Sequence, residues 1–300
     1  MRVAVTGASG FIGRHVMTRF AARGDQPTAV SRPFARASLA EALSSADVVI
    51  HLAGVVAATD DRTYIDGNVT ATRVVAEAAR DAGVPMIHVS SLAAAGPASA
   101  AAPRAEDDPP SPITTYGRTK LQGEQAVKAT EGLRWTVLRP GVVYGPGDRA
   151  LVPLFRMART GVLPIVGRND AAYTFVYIDD LVDAIVAAAD RLPISSTIFV
   201  GHPQPVTPGA LVSQVREATG GRASIVRVPQ PVLRLAAWAG DLAGAVRGRP
   251  VLINSRRFVE LDSIGFVCRV DRLREDLGVE PMVALADGLR HAAGWYLSQA

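Results

Sequence analysis

The sequence predicts an α/β fold, a doubly wound parallel sheet with helices on both faces, completed by a smaller mixed C-terminal lobe. Three observations predict it. Short apolar runs alternate with helical periodicity through the first 143 residues, the pattern of strands covered on both faces. The first run, Val3 to Val5, leads directly into a turn built on Gly7, Gly10 and Gly13, and a helical pattern follows through Phe11, Ile12, Val16, Met17 and Phe20. Beyond residue 143 the alternation lapses, and the second half is not built on the plan of the first. The lobes are expected at 1–143 plus about 174–200, and at about 144–173 plus 201–300.

The opening strand, turn and helix suit a dinucleotide diphosphate. Glycines let the backbone approach closely, and a helix N-terminus offers unpaired N–H groups with a partial positive charge. Pro27 to Ser31 reads as the second strand. An acidic residue at its end would accept hydrogen bonds from ribose hydroxyls, but Ser31 and Arg32 stand there instead. A guanidinium suits a 2′-phosphate, with Arg36 near enough to assist, so NADP is expected ahead of NAD.

Ala35 to Ala46 is mostly helical in pattern, and Asp47 to Gly54, running through Leu52, is a buried strand ending in the small residues Ala53 and Gly54. The roughly fifteen residues between these strands hold one helix but hardly a further strand, so an extra edge strand is not expected. His51 reads as a satisfied core histidine. Asp66 to Ala82 is strongly helical and carries Asn68. Met86 to Val89 is a strand closed by Ser90-Ser91. Ala98 to Pro112 reads as an exposed, mobile loop. Thr114 to Thr130 is a helix with Tyr116, Lys120 and Glu124 on one face, and Trp135 to Leu138 is the next strand. Leu151 to Thr160 and Asp180 to Arg191 read as helices, Phe175 to Ile178 and Thr197 to Val200 as strands, and the remainder as mostly short helices.

Composition narrows the function classes. Of 300 residues 48% are hydrophobic and 20% charged, ample for a core, and the net charge is a mild +4. No basic run interleaves with aromatics, so no nucleic-acid partner is expected. The single cysteine, Cys268, excludes an internal disulfide and a cysteine-rich metal site, and reads as a small buried hydrophobe. The longest apolar stretches, Leu181 to Ala189 and Val232 to Val246, are short or broken by Asp183, Arg234 and Asp241, so no membrane partner is expected. The chain enters a strand without a basic leader, which makes a cytoplasmic protein the expectation.

Tyr116 and Lys120, four apart on one helix, project from the same face. A free tyrosine titrates near 10, too high for an efficient base, and a neighbouring ammonium lowers that value. Lys120 can also hold ribose hydroxyls. Ser91 lies at the C-terminal end of a strand, where open α/β sheets place ligand-binding groups. Its hydroxyl can polarise a carbonyl oxygen while Tyr116 transfers the proton.

The segments Gly7 to Gly13, Asp47 to Gly54, Ser90-Ser91, Tyr116 to Lys120, Leu138-Arg139-Pro140 and Phe175 to Asp180 resemble, in order and spacing, the extended short-chain dehydrogenase/reductases. That superfamily includes the NAD-dependent epimerases and dehydratases. The resemblance implies a Rossmann lobe with a smaller substrate lobe. It further implies Tyr116 as acid/base, Lys120 as its pKa partner, Ser91 as carbonyl orienter and Asn68 as a water-holding relay. Leu52, Ala53, Pro140, Val142 and Val143 would line the nicotinamide end of the cofactor. Homodimer pairing, through helices that include the Tyr116 helix, is an expectation of the same resemblance.

Departures from the family pattern narrow the activity. Leu92 and Ala93 follow Ser91 where dehydratases carry acidic residues, and Tyr173 stands where many epimerases place a diphosphate-binding arginine, although Arg149 and Arg168 are near. Ala95 replaces a family tyrosine, which should open the pocket to a more apolar substrate. The C-terminal run from Pro231, including Arg256-Arg257 and Phe266-Val267-Cys268, is similar to the hydroxysteroid-dehydrogenase-like and carbonyl-reductase-like branch. Leu235, Trp238, Leu242 and Val246 either wall an apolar site or belong to the core. The leading expectation is an NADP-preferring reductase of a ketone/secondary alcohol pair. A nucleotide-sugar epimerase holding NAD tightly is the alternative. A non-catalytic dinucleotide-binding protein is a third reading, disfavoured because Tyr116 and Lys120 are both present.

Overall fold

The computed structural model describes residues 1–191, 195–247 and 254–300. Six strands form the main sheet: β1 (Arg2–Thr6), β2 (Gln26–Val30), β3 (Val48–His51), β4 (Met86–Val89), β5 (Trp135–Pro140) and β10 (Ser196–Val200). Their order is β10-β5-β4-β3-β1-β2 and every pairing is parallel. Strand β2 is the edge, as the short connection to β3 implied. The chain thus has the Rossmann-type α/β fold.

Alternation along the strands sorts the core into two layers. Val3, Val5, Val48, Ile50, Ile87 and Val89 face one way, against α1 (Phe11–Ala22) and α7 (Ile178–Arg191). Ala4, Val49 and Met86 face the other, with Leu39 and Leu43 of α2 (Arg36–Leu43), Val75 and Ala79 of α4 (Ala71–Asp81) and Val127 of α5 (Thr115–Lys128). Each fully buried Val, Leu or Ile contributes about 1.5–3 kcal/mol relative to exposure. The helix before β4 starts earlier than its periodicity suggested: α3 (Asp61–Ile65), capped by Asp60, runs through one wide π-type turn at Asp66–Thr70 into α4.

The rest of the chain is mixed. Three two-stranded parallel pairs join β6 (Val142–Tyr144) to β9 (Phe175–Tyr177), β7 (Val162–Ile165) to β11 (Ser224–Arg227), and β8 (Ala172–Tyr173) to β12 (Gly265–Phe266). Around them lie α6 (Val152–Thr160), α8 (Pro208–Ala218), α9 (Gln230–Arg247), α10 (Ser255–Leu261), α11 (Asp271–Leu277) and α12 (Leu285–Gln299). Tyr296 of α12 is fully buried, stacks on Phe155, and donates to Asp148 Oδ2 at 3.0 Å, which ties the C-terminal helix to the end of β6.

Two expectations need correction. Helices α9 and α12 have 18 and 15 residues, so the C-terminal region is not mostly short helices. The segment Ala98 to Pro112 is not a free loop. It is laid parallel to the 265–268 segment by Ala98 N–H to Gly265 O and Arg104 N–H to Val267 O, and Arg104 Nη2 ties back to Ser111. Proline and alanine content signalled irregular backbone, but the backbone groups found tertiary partners.

Candidate active site

The glycine turn makes a cradle at the C-terminal edge of β1. Gly7 has φ +73°, and a Cβ there would lie 2.7 Å from the Ala53 backbone nitrogen. A Cβ on Gly13 would fall 2.2 Å from Gly7 O, so only glycine lets α1 start so close to the turn. Gly10 caps α1 without a side-chain hydrogen bond, leaving the first N–H groups, at Phe11 and Ile12, facing outward. An open cleft of about 440 Å³ extends from Gly7 and Gly10 past Leu52, Ala53 and Gly54 to Ser31 and Arg32. Arg32 is exposed there, its guanidinium over the Phe34 ring and 3.3 Å from Gly67 O. These groups fit a dinucleotide: bare backbone for the diphosphate and a cation at the β2 end. Arg36 is not among the residues that line this cleft and pairs with Asp81 of α4 at 2.6 Å.

A second cleft, about 220 Å³, adjoins it. Ser91 follows β4 and caps a single tight turn, its Oγ accepting from Ala93 N–H at 3.2 Å. Thr114 caps helix α5, its Oγ1 accepting from Gly117 N–H at 3.1 Å. A Cβ on Gly117 would meet Ala93 O at 2.4 Å, and this close approach brings Tyr116 to Ser91. Tyr116 and Ser91 share the cleft with Pro140, Gly141 and Val142, as well as Tyr173 and Thr174. Val143 is half-buried behind Val142.

Burial pushes the Tyr116 phenol up to about 12, and its hydrogen bond with Ser91 acts in the opposite sense. Burial likewise brings Lys120 down to about 8, with Glu124 opposing. Lys120 Nζ donates to Val89 O at 2.9 Å. Asn68 sits in the wide turn before α4. Its Oδ1 accepts from Val55 N–H at 2.7 Å and its Nδ2 donates to Val55 O and Thr119 Oγ1, so it pins the post-β3 loop against α5. Both its donors are used by the protein.

Beneath the cleft lies a buried ion pair. Glu124, one turn beyond Lys120, receives Arg139 in bidentate fashion at 2.9 and 2.7 Å, and accepts from Ser90 Oγ at 2.5 Å. His51 shares hydrogen bonds with Thr6 and Thr72 at 2.7 and 3.0 Å and is held neutral by burial, down to about 3. It is the satisfied core histidine that its apolar strand implied. Cys268 is buried against Thr174, its thiol pushed up to about 12 by burial. Among the described residues no cluster of metal-ligating side chains occurs.

Several sequence readings fall elsewhere in space. Ala95 packs beneath the cleft with Leu92, Phe199 and Cys268, so its small size does not open the pocket. Leu235, Trp238 and Leu242 are exposed, neither core nor cleft, and the Val246 side chain lies outside the described residues. Arg168 pairs with Asp170 away from Tyr116. The cation in the cleft comes instead from α10, where Arg257 pairs with Glu260 at 2.7 Å beside Tyr173. An Arg and Glu three apart on a helix were visible in the sequence as an ion pair. Their position over Tyr116 was not.

The model of the NAD dependent epimerase/dehydratase family matches residues 3–201. A ceramide reductase of Caulobacter vibrioides is 28% identical over 98% of this chain and 94% of its own length. The 4-hydroxy-2-methyl-3-oxo-4-farnesyl-3,4-dihydroquinoline-1-oxide ketoreductase of Stigmatella aurantiaca is 29% identical over 80% of each chain. The solved structure of MoeE5 with UDP-glucuronic acid and NAD superposes over the whole of both chains with a TM-score of 0.79 at 25% identity.

Proposed function

This chain belongs to the NAD dependent epimerase/dehydratase family, and on that premise we propose that it is an NADP-preferring reductase that interconverts an apolar ketone and its secondary alcohol. The observation that carries the reading is the pairing of Ser91 and Tyr116 in a cleft adjoining the glycine cradle, walled by Leu92, Val142, Leu261 and Phe266. When bound, the nicotinamide dinucleotide supplies or accepts the hydride. Ser91 Oγ orients the carbonyl oxygen. Tyr116, protonated at neutral pH as its ordinary value near 10 requires and burial reinforces, donates the proton to that oxygen in reduction. Lys120 and Asn68 act from behind: the ammonium, anchored on Val89 O one turn beyond Tyr116 on the same helix, favours a phenolate at Tyr116, and Asn68 fixes the loop that carries Gly54 and Val55. The lobe division expected from the sequence belongs to this proposal, with the 201–300 segment reading the substrate. The relatives named as a ceramide reductase and a farnesylated-quinoline ketoreductase support an apolar ketone.

Tyr116→Phe should keep NADPH affinity within a few-fold and lower ketone reduction by about 10²–10⁴-fold. Unchanged turnover would remove the mechanism. The epimerase reading is favoured by one feature, the Arg257 cation in the cleft, and by the likeness to a protein solved with UDP-glucuronic acid and NAD. Against it, Glu260 already pairs that cation. Mass spectrometry of the dinucleotide released on denaturation separates the two: stoichiometric NAD favours the epimerase, whereas NADP, or NADPH binding tighter than NADH, favours the reductase.

A further inference from the structure

Helix α9 has two apolar faces, and only one is used. Leu233, Ala237, Gly240 and Gly244 are buried against the protein. On the opposite side Val232, Leu235, Trp238 and Leu242 are between 54% and 66% exposed. At 3.6 residues per turn, these four and the alanines among them occupy about 160° of the helix surface without a charged residue. A helix apolar all round normally lies inside a protein or a membrane, so the exposed half of α9 needs an occupant.

We propose that this occupant is the surface of an anionic lipid bilayer, on which α9 lies flat. Charge and position both select it. Residues 218–240 contain Arg222, Arg227 and Arg234 and no Asp or Glu. All three arginines are exposed, and none is held in an ion pair among the described residues. Exposed Val226 lies in the same basic stretch. Arg234 stands one turn before Trp238 on α9 at the border of the apolar face, and a cation beside exposed Trp and Leu side chains is what binds lipid headgroups and the acyl boundary together. The acidic residue on α9, Asp241, is turned away to accept from Ser255 N–H at 3.1 Å. Gln230 reaches Asp262 at 2.7 Å at the other end. These two ties clamp α9 to α10, which carries Arg257, Glu260 and Leu261 of the substrate cleft. The docked face is therefore one helix away from the site. Among the described residues no helix is long and apolar enough to cross a membrane, so the contact is interfacial. The sequence expectation of no membrane partner weighed spanning segments alone.

Vesicle binding tests this without turnover, independently of the ketone reading. The full chain is sedimented with vesicles of phosphatidylcholine alone and of phosphatidylcholine with phosphatidylglycerol. Binding should be at least tenfold stronger to the anionic vesicles and should weaken with salt. Leu235→Gln, Trp238→Gln and Leu242→Gln combined should lower it at least tenfold with an unchanged melting temperature, since the buried face of α9 is kept. If that variant melts early, Arg222→Gln, Arg227→Gln and Arg234→Gln combined replace it, with loss of the anionic preference expected. Failure of the wild-type chain to bind anionic vesicles overturns the proposal, as does wild-type binding by a folded variant. A wild-type dimer that the apolar substitutions dissociate, without vesicle binding, assigns the face to a second copy and overturns it too.

Discussion

Arg32 shows how much one side chain can decide. It sits exposed at the end of β2, over Phe34 and at the rim of the dinucleotide cleft, where no carboxylate stands to receive ribose hydroxyls. Charge-assisted hydrogen bonds contribute about 1.5–3 kcal/mol each. Arg32→Ser should therefore weaken NADPH binding by about ten- to a hundredfold and leave NADH within about twofold. Isothermal titration with each dinucleotide measures this, and equal losses for both would mean that Arg32 reads something other than the 2′-phosphate. Residue identity at this position was legible because a strand end is fixed by local pattern. The fate of Arg36 was not, because Asp81 reaches it from a helix remote in sequence.

Helix α5 is the element on which the site depends. It carries Tyr116 and Lys120 toward the cleft, and one turn later Glu124 into the interior, where Arg139 of β5 and Ser90 of β4 complete the pair. A buried ion pair is weak evidence of net stabilisation, but breaking one by removing a partner leaves a bare charge in low dielectric. Arg139→Met should cost about 3–5 kcal/mol of unfolding free energy. Glu124→Gln and Arg139→Met together should recover part of that loss. Urea denaturation of the two single variants and the double tests the coupling, and simple additivity would count against it. The helix and its polar face were readable from periodicity. That Glu124 is buried depended on β4 and β5 being neighbours.

Across the whole molecule, two stacked histidines in adjacent strands link stability to pH. His51 and His88 are fully buried with ring centroids 5.3 Å apart, and burial holds both neutral, His51 down to about 3. Their folded values lie below the ordinary 6.5, so the unfolded chain binds more protons and stability falls as pH drops from about 6.5 toward 3. Each fully engaged histidine contributes a slope of about 1.4 kcal/mol per pH unit. Among the described residues His88 finds no hydrogen-bond partner for either ring nitrogen. His88→Leu should thus leave stability at neutral pH equal or higher, and should shallow the acid slope by close to one proton. Unfolding free energies between about pH 6.5 and 5 test it, and an unchanged slope would place the acid sensitivity elsewhere.

The sequence by itself determined the sheet, the glycine cradle, and the placing of Tyr116 and Lys120 on one helix and Ser91 at the end of a strand. All of these follow from short-range pattern: apolar alternation within strands, glycine spacing within one turn, and four-residue spacing on one helix. It also determined that β2 would be the edge, because too few residues follow it to build another strand. The tertiary structure alone decided what surrounds that machinery. Ala95 lies under the cleft rather than in it because the turn after β4 sends its side chain inward. Arg257 and Glu260 come over Tyr116 because α10 folds back from far along the chain. Leu235, Trp238 and Leu242 face outward because α9 uses its other side for packing. Local sequence fixes which faces are apolar, and only the fold fixes which of them are covered.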